Sequence, residues 1–339
     1  MRTADVTGMI GSISFAYLKG SKFDCDHKKW RLFADVINDL GYMLDILSPH
    51  VFFGFAFMQC SSSLVKALVG VAGGATRASL VQHQAKNNNQ ADIQAKDNSQ
   101  ETLTNMTALL FSLLVVSLVV DRPHLVWLFY LVFTAIHLFA NYKGVKSLRI
   151  PVFNLSRFGI ASQRFLRRQG SLSLDVVNDL EPVWFTRCSV ASRLHLGLPL
   201  RAHVADAKLL RQLTQLFAQD KYILTMDVKA QRISVSFAQS SNDMTTLTAC
   251  FHALLLLHAL DSLDDNGNSD ARVHALTRLL QQEPATREAQ VELLQRSKTL
   301  AHDLLPEMLQ QLHMQGWDLS RCLISQGDWK YAVISDKHK

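Results

Sequence analysis

Gly73-Gly74-Ala75-Thr76-Arg77 is the stretch of this sequence best suited to hold an anion. At a helix start, a glycine-rich turn aims successive backbone N–H groups outward, and such a nest favours phosphate or carboxylate. Arg77 would add a full charge and a bidentate fork. Small residues at Gly70-x-x-Gly73 serve equally to let two helices approach closely, so both readings stand. The pattern is neither a Walker A loop nor a dinucleotide fingerprint: no Gly-Lys-Ser/Thr follows it and no strand precedes it.

Further polar groups follow at helical spacing. His83 with Asn87, next to Gln84, are four apart and suited to a ligand; Asp92 and Lys96 have the spacing of an exposed ion pair. Nine amides fall between Gln82 and Gln100. Amides hydrogen-bond without the desolvation cost of a charge, which suits an interfacial segment lining a wet cavity and suits a solvated loop as well. Asn98 and Glu101 have the spacing of a capping box ahead of an apolar run. His137 and Asn141 are placed for hydrogen bonding between helices. No second His or Cys stands at ligand distance from His83, so no metal site and no cofactor are expected. No G-x-S-x-G or H-E-x-x-H setting exists, so no nucleophile–base pair is assigned and the chain reads as non-enzymatic. His252 and His258, on an apolar helix, read as satisfied core histidines.

The elements that must position these groups are mostly helices. Leu32, Phe33, Val36, Ile37, Leu40, Met43, Leu44 and Leu47 recur at steps of three and four, an amphipathic helix that Pro49 interrupts. An apolar segment from Ile46 runs to the glycines and could cross a bilayer. Leu103 to Val120 carries no charge over 18 residues; "DRPH" follows, then Leu125 to Ala140 carries none. These runs read as a transmembrane hairpin, with Trp127 and Tyr142 as interface anchors. The competing reading is a hairpin buried in a soluble helical core. Lys143, Lys146, Arg149, Arg157, Arg164, Arg167 and Arg168 precede any acid, so the exit side is expected to be cytosolic or the equivalent compartment.

Beyond Glu181 the composition changes. "KYILTMD" and "RISVSFA" alternate about a short turn and predict a β-hairpin. Met244 to Leu260 predicts a helix covered all round; helices near 271–282 and 286–314 follow, with Gly316 ending the last and "LSRCLIS" and "WKYAVIS" as closing strands. The expected class is therefore mainly α: a helical membrane domain (1–150), a basic linker (151–180) and a smaller α+β soluble domain (181–339) with an antiparallel sheet. Five scattered cysteines support reduced thiols rather than disulfides, and no signal peptide is expected. The net charge of +6 is spread too widely to argue for nucleic acid.

"KKWRLFADVINDL", "VAGGATRASLVQHQAKNNNQADIQAKDNSQET" and "HLFANYKGVKSL" resemble the root UV-B sensitive (RUS) family, whose core is also described as a vitamin B6 photoprotection and homeostasis domain. "EPVWF", "LGLPL", "YILTMD" and "GWDL" resemble the C-terminal domain of its animal members. The resemblance implies a membrane-associated protein tied to UV-B response and vitamin B6 balance. It also implies that an amino-terminal part is lacking, since the family begins upstream of "DVTGMIGSISFAYLKG". Lys86-Asn87 stands where the family tends to have paired arginines. Together these readings predict a membrane protein, of an organelle or the plasma membrane, that binds or passes a small anionic ligand such as a phosphorylated B6 vitamer. Its expected ligand-binding residues are Gly73, Gly74, Thr76, Arg77, His83, Gln84, Asp92 and Lys96. The expected partners are membrane lipid and, in the alternative reading of a membrane-anchored adaptor, proteins bound by the C-terminal domain.

Overall fold

The computed structural model describes residues 2–51, 54–185, 192–204, 206–263, 271–281 and 287–332. They form two compact units: Met1–Leu148 with Val183–Phe185, and Arg149–Pro182 with Thr186–Lys339.

The first unit is all helix: α1 (Arg2–Phe23), α2 (His27–Leu47), α3 (Phe55–Gln84), α4 (Gln90–Val119) and α5 (Pro123–Ser147). The helix expected before Pro49 is α2, and a 3-10 turn at Ser48–His50 follows it. Trp30 is its anchor. The indole meets Phe15, Phe23, Phe33 and Phe185 with ring centroids 4.9–5.8 Å apart, all edge-on as aromatic quadrupoles prefer. The close approach of helices occurs at Gly8 and Gly11 of α1. A Cβ at Gly8 would lie 2.8 Å from Ser63 Oγ, and one at Gly11 would lie 2.1 Å from Leu64 Cδ1. Gly70, Gly73 and Gly74 face open space instead, so the helix-approach reading fails at those positions.

Four helices among the described residues are long and apolar enough to cross a bilayer: α3, α4, α5 and Asp243–Asp261 in the second unit. Burial separates them. No residue of α4 is buried and Val145 is the buried residue of α5, whereas Asp243–Asp261 is largely enclosed. A hairpin buried in a globule would show the opposite pattern; among the described residues nothing covers α4 and little covers α5. The α4 and α5 helices are also longer, at 30 and 25 residues, than the uncharged runs alone. Hydroxyls of α4 are tied to its own backbone: Thr107 Oγ1, Ser112 Oγ and Ser117 Oγ donate to carbonyls of the preceding turn at 2.7–2.9 Å. An apolar medium would then meet no orphaned donor from these side chains.

The second unit contains β1 (Val152–Phe153), α6 (Leu155–Leu166), α7 (Leu174–Leu180), β2 (Leu194–Leu196), α8 (Ala207–Leu216), β3 (Tyr222–Asp227), β4 (Arg232–Ala238), α9 (Asp243–Asp261), α10 (Ala271–Gln281), α11 (Arg287–Met314), β5 (Asp318–Cys322) and β6 (Lys330–Tyr331). The expected hairpin is present as β3–β4, antiparallel with Tyr222 opposite Phe237. The expectation of an antiparallel sheet is not met. Strands β2 and β6 both pair with β4 in parallel, and β1 pairs with β5 in parallel. A local turn fixes the direction of a hairpin, but these strands return through helical crossovers, which set parallel pairing and leave no mark on alternation. The closing strands are shorter than read, and "WKYAVIS" runs partly outside the described residues. The polar break after Asp261 also lies largely outside them.

The stretch expected as a basic linker is folded into this unit, with Val152, Phe153 and Phe158 in its interior. The cations of the orientation argument are not all uncompensated. Arg149 pairs with Asp175 and Asp179 at 2.8 and 2.9 Å, and Arg157 is fully buried against Glu181. The charge argument for orientation loses both residues.

Helix α9 is the core. Asn242 and Thr245 form a capping box at its start, and Leu254 to Leu257 are among its buried residues. His252 is satisfied as expected: Ser297 Oγ donates to Leu294 O and so accepts from His252 Nε2 (2.8 Å), leaving Nδ1 to accept from Tyr222 O–H (3.1 Å). Burial pushes its pKa down to about 3, and that of His258 down to about 4. Both are neutral in the native state and free to protonate near pH 6.5 when unfolded. Their stabilising neutrality is present above pH 6.5 and lost as pH falls toward the folded values. Unfolding free energy, followed by urea titration, is expected to drop by about 1.4 kcal/mol per pH unit for each imidazole between pH 6.5 and 4. His252→Gln should flatten that slope.

Candidate functional site

Helix α3 runs without a break from Phe55 to Gln84, which removes the physical basis of the expected anion nest. Gly73 and Gly74 lie mid-helix, where their N–H groups belong to the helical ladder rather than to a ligand. Mid-helix glycine costs roughly 0.5–1 kcal/mol relative to alanine. The turn was misread because the buried face of α3 is carried by small residues, Ala72, Thr76 and Ser79, which look like loop residues in a sequence. Thr76 is fully buried and donates to Ala72 O at 2.7 Å, so it is no ligand contact.

The amide-rich stretch is likewise no loop. It is the end of α3, a turn at residues 85–89 and the first turns of α4. Asn88 makes the turn with φ +56°, a left-handed conformation that asparagine tolerates. Because α3 ends at Gln84, His83 and Asn87 do not share a helix face. His83 instead lies beside the His27 ring, with centroids 5.2 Å apart. Asn98 and Glu101 do not form a capping box, since α4 begins eight residues earlier, at Gln90. Asp92 and Lys96 form the expected exposed ion pair at 2.8 Å.

Arg77 is where α3 and α4 join. Its Nε donates to Asp97 Oδ2 at 2.6 Å, Nη1 lies 2.5 Å from Glu101 Oε2, and Nη2 donates to Asn98 Oδ1 at 3.0 Å. Two carboxylates therefore already neutralise the cation that an anion was expected to use. Beside this clasp lies a groove of about 490 Å³ within the first unit. Arg31 of α2, Arg77 and Gln84 of α3, Gln100 of α4 and Asn141 of α5 contribute its donors. Arg31 is held only loosely, 3.8 Å from Asp35. The groove thus presents two guanidiniums, two carboxylates and several amides, a balanced rather than a cationic lining.

Of the expected site residues, the structure brings Arg77 and Gln84 to this groove. Gly73, Gly74, Thr76, His83, Asp92 and Lys96 do not line it. Arg31, Asp97, Gln100, Glu101 and Asn141 were missed as site residues. Their signal was present, because all five fall among the residues that carry the family resemblance. His137, near the groove's α5 wall, donates from Nδ1 to Asp39 Oδ2 at 2.9 Å, the interhelical bond expected of it; Asn141 donates to its own helix at His137 O. Among the described residues no cluster of His, Cys, Asp and Glu could hold a metal ion.

Comparison with known proteins places both units in one family. Residues 3–169 match the family model described as a vitamin B6 photo-protection and homoeostasis domain, and residues 170–333 match the model of the root UVB sensitive protein C-terminal region. The chain belongs to the root UVB sensitive family. The RUS chain is 34% identical over 269 residues to protein root UVB sensitive 3 of Arabidopsis thaliana, covering 76% of its own length and 61% of the relative. It is 41% identical over 199 residues to RUS family member 1 of Dictyostelium discoideum, covering 57% of itself and 38% of that protein. Protein root UVB sensitive 6 of Arabidopsis thaliana aligns over 95% of the RUS chain and 63% of its own length at 26% identity. The chain therefore spans less than two thirds of the length of these relatives. No solved structure matches it.

Proposed function

We propose that this RUS chain is a non-enzymatic membrane protein whose first unit is embedded through α3, α4 and α5 and whose groove binds a small polar ligand carrying both charge signs. The groove itself carries the reading: Arg31 and the amides Gln84, Gln100 and Asn141 can hold a phosphate, while Asp97 and Glu101, which Arg77 engages through Oδ2 and Oε2, can turn their second oxygens to a cationic nitrogen. A phosphorylated B6 vitamer has that pairing of charges and agrees with the description of the family model. The reading moves the phosphate contact from Arg77, already clasped, to Arg31.

The test uses the full chain in detergent micelles and pyridoxamine 5′-phosphate, which cannot form an imine with lysine. Titration calorimetry is expected to show binding that Arg31→Ala weakens by about 10-fold or more, the loss of a charge-assisted hydrogen bond. Lys96→Ala is expected to leave the affinity unchanged. Absence of binding at millimolar concentration, or indifference to Arg31→Ala, overturns the assignment.

A further inference from the structure

The second unit holds a cavity that nothing in the first unit explains. Strand alternation divides its sheet into two faces. Leu224, Met226, Ile233 and Val235 share one, with Leu224 opposite Val235 and Met226 opposite Ile233. The other face is polar: His195 of β2, Ser234 of β4 and Thr225 of β3 stand in one cross-strand row, and Arg232 pairs with Asp227 in the next. A polar sheet face ordinarily meets water. Here it is covered by Leu198, Ala202 and Val204, by Leu209 and Leu213 of α8 and by Leu293 and Leu294 of α11, and the space left between them is about 620 Å³. The space opens to solvent, where Arg201, Asp227 and Arg232 are exposed, and its volume is that of a small-molecule site.

The wall of the cavity is fixed by one hydrogen-bond relay. Ser236 Oγ donates to Leu198 O at 2.5 Å and so accepts from His203 Nε2 at 2.8 Å. The other ring nitrogen, Nδ1, then accepts from Thr225 Oγ1–H at 2.7 Å. His203 is thereby a neutral imidazole of one tautomer, and burial lowers its pKa in the same sense. Thr225 keeps its lone pairs for the cavity, and Ser234 adds a hydroxyl beside it. Asp227 is the carboxylate of the lining, and it accepts from the Ala230 N–H of its own turn at 2.9 Å. Two guanidiniums line the same cavity without an ion pair to any described residue: Arg232, and Arg201, whose guanidinium carbon lies 5.5 Å from the Trp329 ring centroid. The lining is thus leucine-rich on one side, hydroxylated on the other and cationic at Arg201 and Arg232, with one carboxylate, Asp227, at the strand position opposite Arg232.

We infer that the cavity between β2–β4–β3 and α8–α11 is a second ligand site, for a small amphipathic anion with an apolar body and a phosphate or carboxylate head. The body lies against Leu209, Leu213 and Leu293, and the head meets Arg201 and Arg232. This inference is independent of the groove in the first unit.

The probe is phenyl phosphate, titrated calorimetrically into the full chain in detergent micelles, with inorganic phosphate and phenol as half-probes. Phenyl phosphate is expected to bind at least ten-fold more tightly than either half. Arg232→Gln is expected to weaken it about ten-fold. Ser234→Leu, which removes a hydroxyl and narrows the cavity beside Thr225, is expected to weaken it at least ten-fold while the protein keeps its thermal unfolding transition. Arg31→Ala should leave phenyl phosphate binding intact, just as Arg232→Gln should leave pyridoxamine phosphate binding intact. Phenyl phosphate that does not bind, that binds no better than inorganic phosphate, or whose affinity survives both Arg232→Gln and Ser234→Leu overturns the site. Loss on Arg31→Ala alone assigns the binding to the first unit and overturns it equally.

Discussion

Glu181→Ala is expected to cost the second unit about 3–5 kcal/mol, the loss found when one partner of a buried ion pair is removed. The side chains of Arg157 and Glu181 are 0% and 2% exposed. Arg157 Nη1 donates to both Glu181 oxygens at 2.7 and 2.9 Å, its Nε donates to Val152 O at 2.9 Å, and Asn154 Nδ2 donates to Glu181 Oε1 at 2.8 Å. Truncating Glu181 leaves a guanidinium in the interior with its chief counter-charge gone, and the β1–α6 junction would have to open to hydrate it. Urea unfolding of the full chain should show the loss as a lower midpoint of the second unit's transition. The double change Arg157→Met with Glu181→Leu should restore most of it, because a well-packed apolar pair avoids the desolvation cost. If Glu181→Ala unfolds at the wild-type midpoint, the pair is not buried in solution.

Leu114→Arg, near the middle of the uncharged Leu103 to Val120 run, carries the second large effect. Leu114 is 65% exposed. On a helix in hydrocarbon an arginine at mid-depth costs about 2.5–3.5 kcal/mol on the insertion scale. The variant is therefore expected to shift from the carbonate-resistant pellet toward the supernatant, or to be degraded during synthesis. On a helix in water the same change would be close to neutral. Lys96→Ala, at the polar start of the same helix, should leave fractionation as it is. Retention of Leu114→Arg in the pellet at wild-type yield would count against lipid around α4.

What was legible followed from periodicity and from charge gaps. Leu32 to Leu47 fixed α2, the uncharged runs either side of Pro123 fixed the core of α4 and α5, and the alternation of "YILTMD" and "RISVSFA" fixed the β3–β4 hairpin. What failed depends on partners distant in the chain. Gly73 and Gly74 look like a turn until Ala72, Thr76 and Ser79 are seen to hold α3 straight. Arg77 looks like an anion receptor until Asp97 and Glu101 occupy it. Arg157 looks like a surface cation until Glu181 arrives from 24 positions downstream. The parallel strands could not be read, because a crossover's direction is decided by the packing of the helix it contains. The groove residues were visible individually but not as a set, since four helices contribute them.

The thread formed by Val183–Phe185 has an evolutionary corollary. These three residues belong to the first unit although both flanks belong to the second, and Phe185 closes the ring of aromatics around Trp30. Recombination that joined one half of this gene to a different neighbour would strip Trp30 of that cover or leave an aromatic segment without its host. The two halves should therefore be inherited together, and a lineage carrying the first alone would be expected to have replaced Phe185 with an aromatic of its own.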